Sequence, residues 1–121
     1  MPRTSKETAS IVQEFPVATD RSEELDGYTV SFVSITESHD LGPILKNLPT
    51  GDCQCPHWGY IVKGRMIVRY DDHEEVCEAG DAFYMSPGHA PAADAGSEFV
   101  LFSPTPEFQE LQAALMKAMQ G

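Results

Sequence analysis

From residue 53 to residue 103 the chain is a close succession of short, β-branched and aromatic stretches, with no helical period between them. CQCPHWGYIV runs to a turn at Lys63-Gly64, RMIVRY to a turn at Asp71-Asp72-His73, and EEVCEA to Gly80-Asp81. AFYM, the Pro- and Gly-bearing SPGHAP, the turn DAGS and the strand EFVLF complete the series. Strands recurring every eight to twelve residues or so, without intervening helices, specify an antiparallel sandwich or barrel. A chain of 121 residues has room for one such domain.

The flanking segments fit this frame. YTVSFVSIT, residues 28–36, reads as a strand. Ile11, Val12, Phe15 and Val17, interrupted by Pro16, suit an edge strand, because proline cannot donate to a ladder. TDRSEELDG, between these two, reads as acidic and turn-rich, and residues 37–52 as a connection with one helical turn. Residues 1–10 are polar and patternless, which predicts a mobile arm preceding a barrel over residues 11–104. Residues 105–121 break the β pattern. Thr105 suits an N-cap, Pro106 the first helical position and Glu107 the positive helix end, while Phe108, Leu111, Leu115 and Met119 recur at helical spacing. An amphipathic helix packed on the barrel or on a partner subunit is expected.

Charge and cysteine usage narrow the function. Nineteen acidic against eight basic side chains give a net charge of −11, a field that repels phosphate backbones and anionic lipid, so neither a nucleic acid nor a membrane is expected as partner. The opening MPRTSKETAS has no apolar signal core. Three cysteines, with Cys53 and Cys55 separated by a single residue, do not make a disulfide framework, so a reducing, cytoplasmic setting is expected, with thiols free or metal-bound.

Residues 59–88, GYIVKGRMIVRYDDHEEVCEAGDAFYMSPG, resemble the cupin superfamily, whose first motif is G-x5-H-x-H-x3,4-E-x6-G and whose second is G-x5-P-x-G-x2-H-x3-N. Tyr60-Ile61-Val62-Lys63-Gly64 looks like the family's strand and turn, and Gly80-Asp81 through Pro87-Gly88 like the start of its second motif. The resemblance implies an all-β, cupin-like antiparallel double-stranded β-helix (a jelly-roll barrel), here with one C-terminal α-helix. The family's metal ligands are not at their places. Its Glu position falls on His57, the two His of H-x-H on Gly51 and Cys53, and the second-motif His on Pro91, with His89 two residues earlier.

A different donor set stands nearby. Alternate residues of a strand share a face, so Cys53, Cys55 and His57 would lie on one side of an extended segment. The assignment of His57 to a cupin ligand position makes that side the barrel interior, and His89 joins it if its own segment is extended. Cys53, Cys55, His57 and His89 are therefore candidate ligands for a transition metal ion, zinc or iron above all. Two alternatives keep the same residues: a degenerate barrel in which they only pack, and a thiol site with a reversible but strained Cys53–Cys55 disulfide. Cys77 reads as a buried small hydrophobe, His73 as solvated, His39 as surface, Asp81 as a turn residue, and Asp71–Glu75 as a solvated hairpin tip. Trp58 and Tyr60 alternate away from His57 and form a second apolar face, which a homodimer would cover. Two functions remain open: a metal-dependent enzyme acting on a small molecule, or a non-catalytic module that binds or senses one.

Overall fold

The computed structural model describes residues 3–48 and 50–120, with side chains through residue 117. Among the described residues, ten strands form two antiparallel sheets. The larger runs in the order β1 (Ile11–Glu14), β2 (Ala18–Leu25), β3 (Tyr28–Ile35), β10 (Glu98–Pro104), β5 (His57–Lys63), β8 (Ala82–Met85). The smaller runs β4 (His39–Asp40), β9 (Ala90–Ala93), β6 (Arg65–Arg69), β7 (Glu74–Glu78). A single helical turn, α1 (Gly42–Leu45), follows β4, and α2 (Thr105–Gln120) ends the chain. The barrel and the C-terminal helix expected from the sequence are both present. Met119 as a packing residue lies outside the described side chains.

One segment differs from its sequence reading. TDRSEELDG is not a turn-rich connection: its first seven residues belong to β2, hydrogen-bonded to β1 on one side and β3 on the other. Its charged and small polar residues lower β-propensity, but pairing on both edges decides the conformation. Only Asp26-Gly27 turns, with φ of 52° and 86°, the pair of positive angles that a two-residue hairpin needs. The segment read as an arm lies against the barrel over its described part. Ala9 is buried, Lys6 Nζ is 2.8 Å from Glu98 Oε1, and the Ser10 hydroxyl donates to Glu23.

Register aligns the inward side chains into rows, which fixes what shares the interior. Asp20, Val33 and Phe99 stand side by side across β2, β3 and β10, and two residues along are Ser22, Ser31, Leu101, Gly59 and Phe83. The next row along places Thr29, Ser103, His57 and Met85 together. Ile61, Met66, Val68, Met85, Phe99 and Leu101 make the core between the sheets, with Cys77 among them as expected. Leu45, Cys53, Cys55 and Phe108 form a second cluster at the helical end, covered by Leu111 and Leu115 of α2.

The β5–β6 turn depends on Gly64. Its φ is +79°, and a Cβ there would come within 2.7 Å of Ser97 Cα. The Ser97 hydroxyl accepts from the Arg65 N–H at 3.0 Å and lies 3.1 Å from the Arg65 carbonyl. Gly64→Ala adds a left-handed strain and pushes against backbone, so it is expected to cost about 2 kcal/mol or more. Chemical denaturation checks this, with Gly80→Ala as the comparison, since Gly80 shares the positive φ but has open space at its Cβ.

Candidate metal and ligand site

His57 opens β5, and the residue before it explains why. Pro56 has no N–H, so the β5 ladder cannot extend backward through it. Cys53 therefore lies outside β5 and makes an isolated antiparallel bridge with His89 instead. The Cys53 N–H donates to the His89 carbonyl at 2.9 Å, and the Gly88 N–H donates to the Cys53 carbonyl at 2.8 Å. Gly88 takes φ +98° to turn the chain there. Two segments far apart in sequence are thus pinned together, and His89 faces inward at 1% exposure.

The result is a buried cluster. One ligand atom each from Cys53, His57 and His89 lies within 4.8 Å of the others. His57 Nε2 is 3.8 Å from Cys53 Sγ, and the two imidazoles meet edge to face with centroids 5.3 Å apart. Each histidine is oriented by a hydrogen bond at Nδ1. His89 Nδ1 donates to the Ser86 carbonyl at 2.7 Å; a carbonyl can only accept, so the proton sits on Nδ1 and Nε2 keeps its lone pair. His57 Nδ1 shares a 2.6 Å hydrogen bond with the buried Ser103 hydroxyl, its neighbour in the inward row. Orienting partners of this kind characterise metal-ligating histidines.

Cys55 is buried beside the cluster but is not one of the three converging residues. Its Sγ lies 3.6 Å from the Pro56 carbonyl. The break at Pro56 separates these residues from the regular alternation of a strand, so one shared face no longer follows from the spacing. His73 is exposed, stacked on Tyr70 and paired with Asp72 at 2.6 Å. Asp81 serves its turn by accepting from the Glu78 N–H at 2.8 Å.

Burial keeps these groups uncharged. It pushes the Cys53 thiol up to about 11, with Asp52 adding to the effect, and the Cys55 thiol up to about 12, with Cys53 and Glu107 adding to it. It pulls His57 down to about 3, helped by His89, and lowers His89 against the opposing pull of the Ser86 carbonyl and Asp52. Neutral imidazoles are the ligating form, whereas a neutral thiol needs a cation beside it to become thiolate. The donor set fits a borderline or soft metal ion.

The cluster lines a cavity of about 410 Å³, within the range that small-molecule pockets occupy. Its wall is mostly aliphatic and aromatic, from both sheets and from Phe108, Leu111 and Leu115 of α2. Four contributors escaped the sequence reading. His39, read as surface, lines the cavity. Asp20 does too, from a segment read as a turn. Ser103 and Ser86 hold the histidines, and nothing in a single sequence marks either of them.

No family model matches the chain, and no curated protein does. Solved structures do resemble it. One, from Rhizobium leguminosarum bv. viciae and of unknown function, superposes with a TM-score of 0.62 at 16% identity, covering 85% of this chain and 95% of its own. An RmlC-like cupin from Shewanella frigidimarina gives 0.58 at 17% identity, with 84% and 88% covered. KdgF from Halomonas gives 0.54 at 19% identity, with 78% and 86% covered. The chain has the cupin fold.

Proposed function

We propose that this cupin-fold chain holds a transition metal ion through Cys53, His57 and His89 and takes a small organic molecule in the adjoining cavity. The observation that carries the reading is the convergence of three buried donor atoms within 4.8 Å, from two segments tied by the Cys53–His89 bridge. Zinc and iron both accept thiolate and imidazole. Three protein ligands are the number found where a site acts on a bound molecule, while four close it for a structural role. A bound ion would supply Lewis acidity toward a carbonyl or a water. The chain's own part is to hold both imidazoles at Nδ1, to keep the Nε2 of His89 bare, and to surround them with apolar wall. The buried free thiols fit a reducing setting such as the cytoplasm. Among the described residues no helix is long and apolar enough to cross a membrane.

Cobalt(II) tests the ligand set. The wild type is expected to develop intense visible bands with a near-ultraviolet thiolate charge-transfer band. Cys53→Ser should lose the charge-transfer band, and Cys55→Ser and Cys77→Ser should keep it. Loss in Cys55→Ser with retention in Cys53→Ser would reassign the thiolate. A second reading, a ligand-binding module without metal, draws on the neutrality of the cluster and its apolar surroundings; it requires that no variant and no wild-type sample take up cobalt.

The outer face of the larger sheet supports a homodimer. Tyr28, Trp58, Tyr60, Tyr84 and Phe102 are 43–47% exposed, and Trp58 lies against Tyr84 with ring centroids 4.7 Å apart. An apolar aromatic surface of this kind favours association. Sedimentation of the wild type at twice the 13.3 kDa chain mass, and of Trp58→Glu/Tyr84→Glu at the chain mass, is expected. A wild type that stays at one chain mass across micromolar concentrations contradicts the dimer.

A further inference from the structure

The cavity wall carries one carboxylate oxygen that is sealed from solvent and left without a hydrogen-bond partner. It is Oδ1 of Asp20, the third residue of β2. The Ser31 hydroxyl is also buried without a well-formed partner and is the one group of the fold that acts on the Asp20 carboxyl as a hydrogen-bond donor would; Oδ1 stays unpaired. The other polar groups of the wall are differently placed: Gln112 donates to Gln13 at 2.8 Å, both cluster histidines hold partners at Nδ1, and His39 has no sealed, unpaired nitrogen. A buried polar atom left unpaired costs about 1–3 kcal/mol, so it persists where something outside the fold completes it. The register separates Asp20 from the metal cluster: it lies two rows from Ser103 and His57 and three strands across from β5.

We propose that Asp20 is the specificity residue of the cavity, which takes a small, mainly apolar molecule whose single hydrogen-bond donor, a hydroxyl or an amine, is received by the Asp20 carboxyl. The aliphatic wall supplies most of the contact, and the carboxyl selects the polar end. A molecule of the same shape lacking the donor leaves the carboxyl unpaired and binds less well. The direction of the Asp20 ionisation agrees: burial raises it, as expected for a carboxyl facing apolar surroundings.

This inference rests on the small-molecule half of the proposed function and is independent of the metal half. Titration calorimetry with p-cresol, benzylamine and toluene, probes of nearly equal size, tests it. In zinc-saturated wild type, p-cresol or benzylamine should bind at least tenfold more tightly than toluene. Asp20→Leu should erase that preference by weakening the donor probes and sparing toluene. Asp20→Asn, which keeps an acceptor and the shape, should retain p-cresol and weaken benzylamine. The same preference should survive in metal-free wild type prepared with a chelator. Equal binding of donor probes and toluene in the wild type overturns the inference, as does a preference that Asp20→Leu leaves intact. A preference that the metal-free protein loses and Asp20→Leu keeps transfers selection to the cluster, overturning the role of Asp20 while leaving the metal reading standing. Failure of every probe to bind overturns the cavity as a binding site, whatever the metal content.

Discussion

His57→Ala is expected to lower zinc affinity at least a hundredfold, measured by competition with a chromophoric chelator at pH 7.5. His57 is the one residue that touches each part of the site. Its Nε2 faces Cys53, its ring meets His89 and Phe108, and its Nδ1 is held by Ser103. Removing it takes away one of three donors and opens space beside the other two. Ser103→Ala should act in the same direction but more weakly, about tenfold, because it frees the ring without deleting the ligand. Ser103→Ala equal to wild type, together with His57→Ala equal to wild type, would detach both residues from metal binding. The fold is expected to survive both changes, with far-ultraviolet dichroism dominated by strand.

Asp20 sets the second large effect, on stability. Its carboxyl ionises at about 6 in the folded chain, against 3.8 as its ordinary value, mainly because it is buried, with Ser31 pulling the other way. Between those two values the folded state binds the proton more tightly than the unfolded state. Stability therefore falls as pH rises from about 4 to about 6, and the loss is complete above the folded value. The shift corresponds to about 3 kcal/mol at most. Asp20→Asn keeps the shape and removes the charge, so it should be more stable than the wild type at pH 7 by about 2–3 kcal/mol and equal to it near pH 4. Urea denaturation at pH 4, 5 and 7 reads this out. A difference that does not change with pH would show that ionisation of Asp20 is not its cause.

Strand spacing alone conveyed the architecture, because turns such as Lys63-Gly64 and Gly80-Asp81 punctuate apolar runs of strand length. The helix at Thr105 announced itself by Pro106 and by the spacing of Phe108, Leu111 and Leu115, whose side chains do cover the barrel end. β2 was hidden, since Asp20, Arg21, Glu23 and Glu24 have little β-propensity and the pairing that shapes them is non-local. The site was legible in part. His57 and Cys53 stood out by residue type, but their meeting with His89 depends on a bridge between segments more than thirty residues apart, which no local pattern encodes. Strand alternation placed Cys55 with Cys53 and His57; the ladder break that a proline at position 56 implies is present, but it leaves the Cys55 thiol beside its own neighbour's carbonyl instead of bringing it to the other two. Asp20 and Ser103 became meaningful only through register, which aligns one with the cavity wall and the other with His57.

The central claim is that Cys53, His57 and His89 form a metal centre. Its most direct measurement is the metal-to-chain ratio of untagged protein after equilibration with micromolar zinc and removal of loosely held ions, read by elemental mass spectrometry. One ion per chain is expected in the wild type and none in the Cys53→Ser/His57→Ala/His89→Ala triple variant. An empty wild type, or a triple variant that retains a full equivalent, would contradict it.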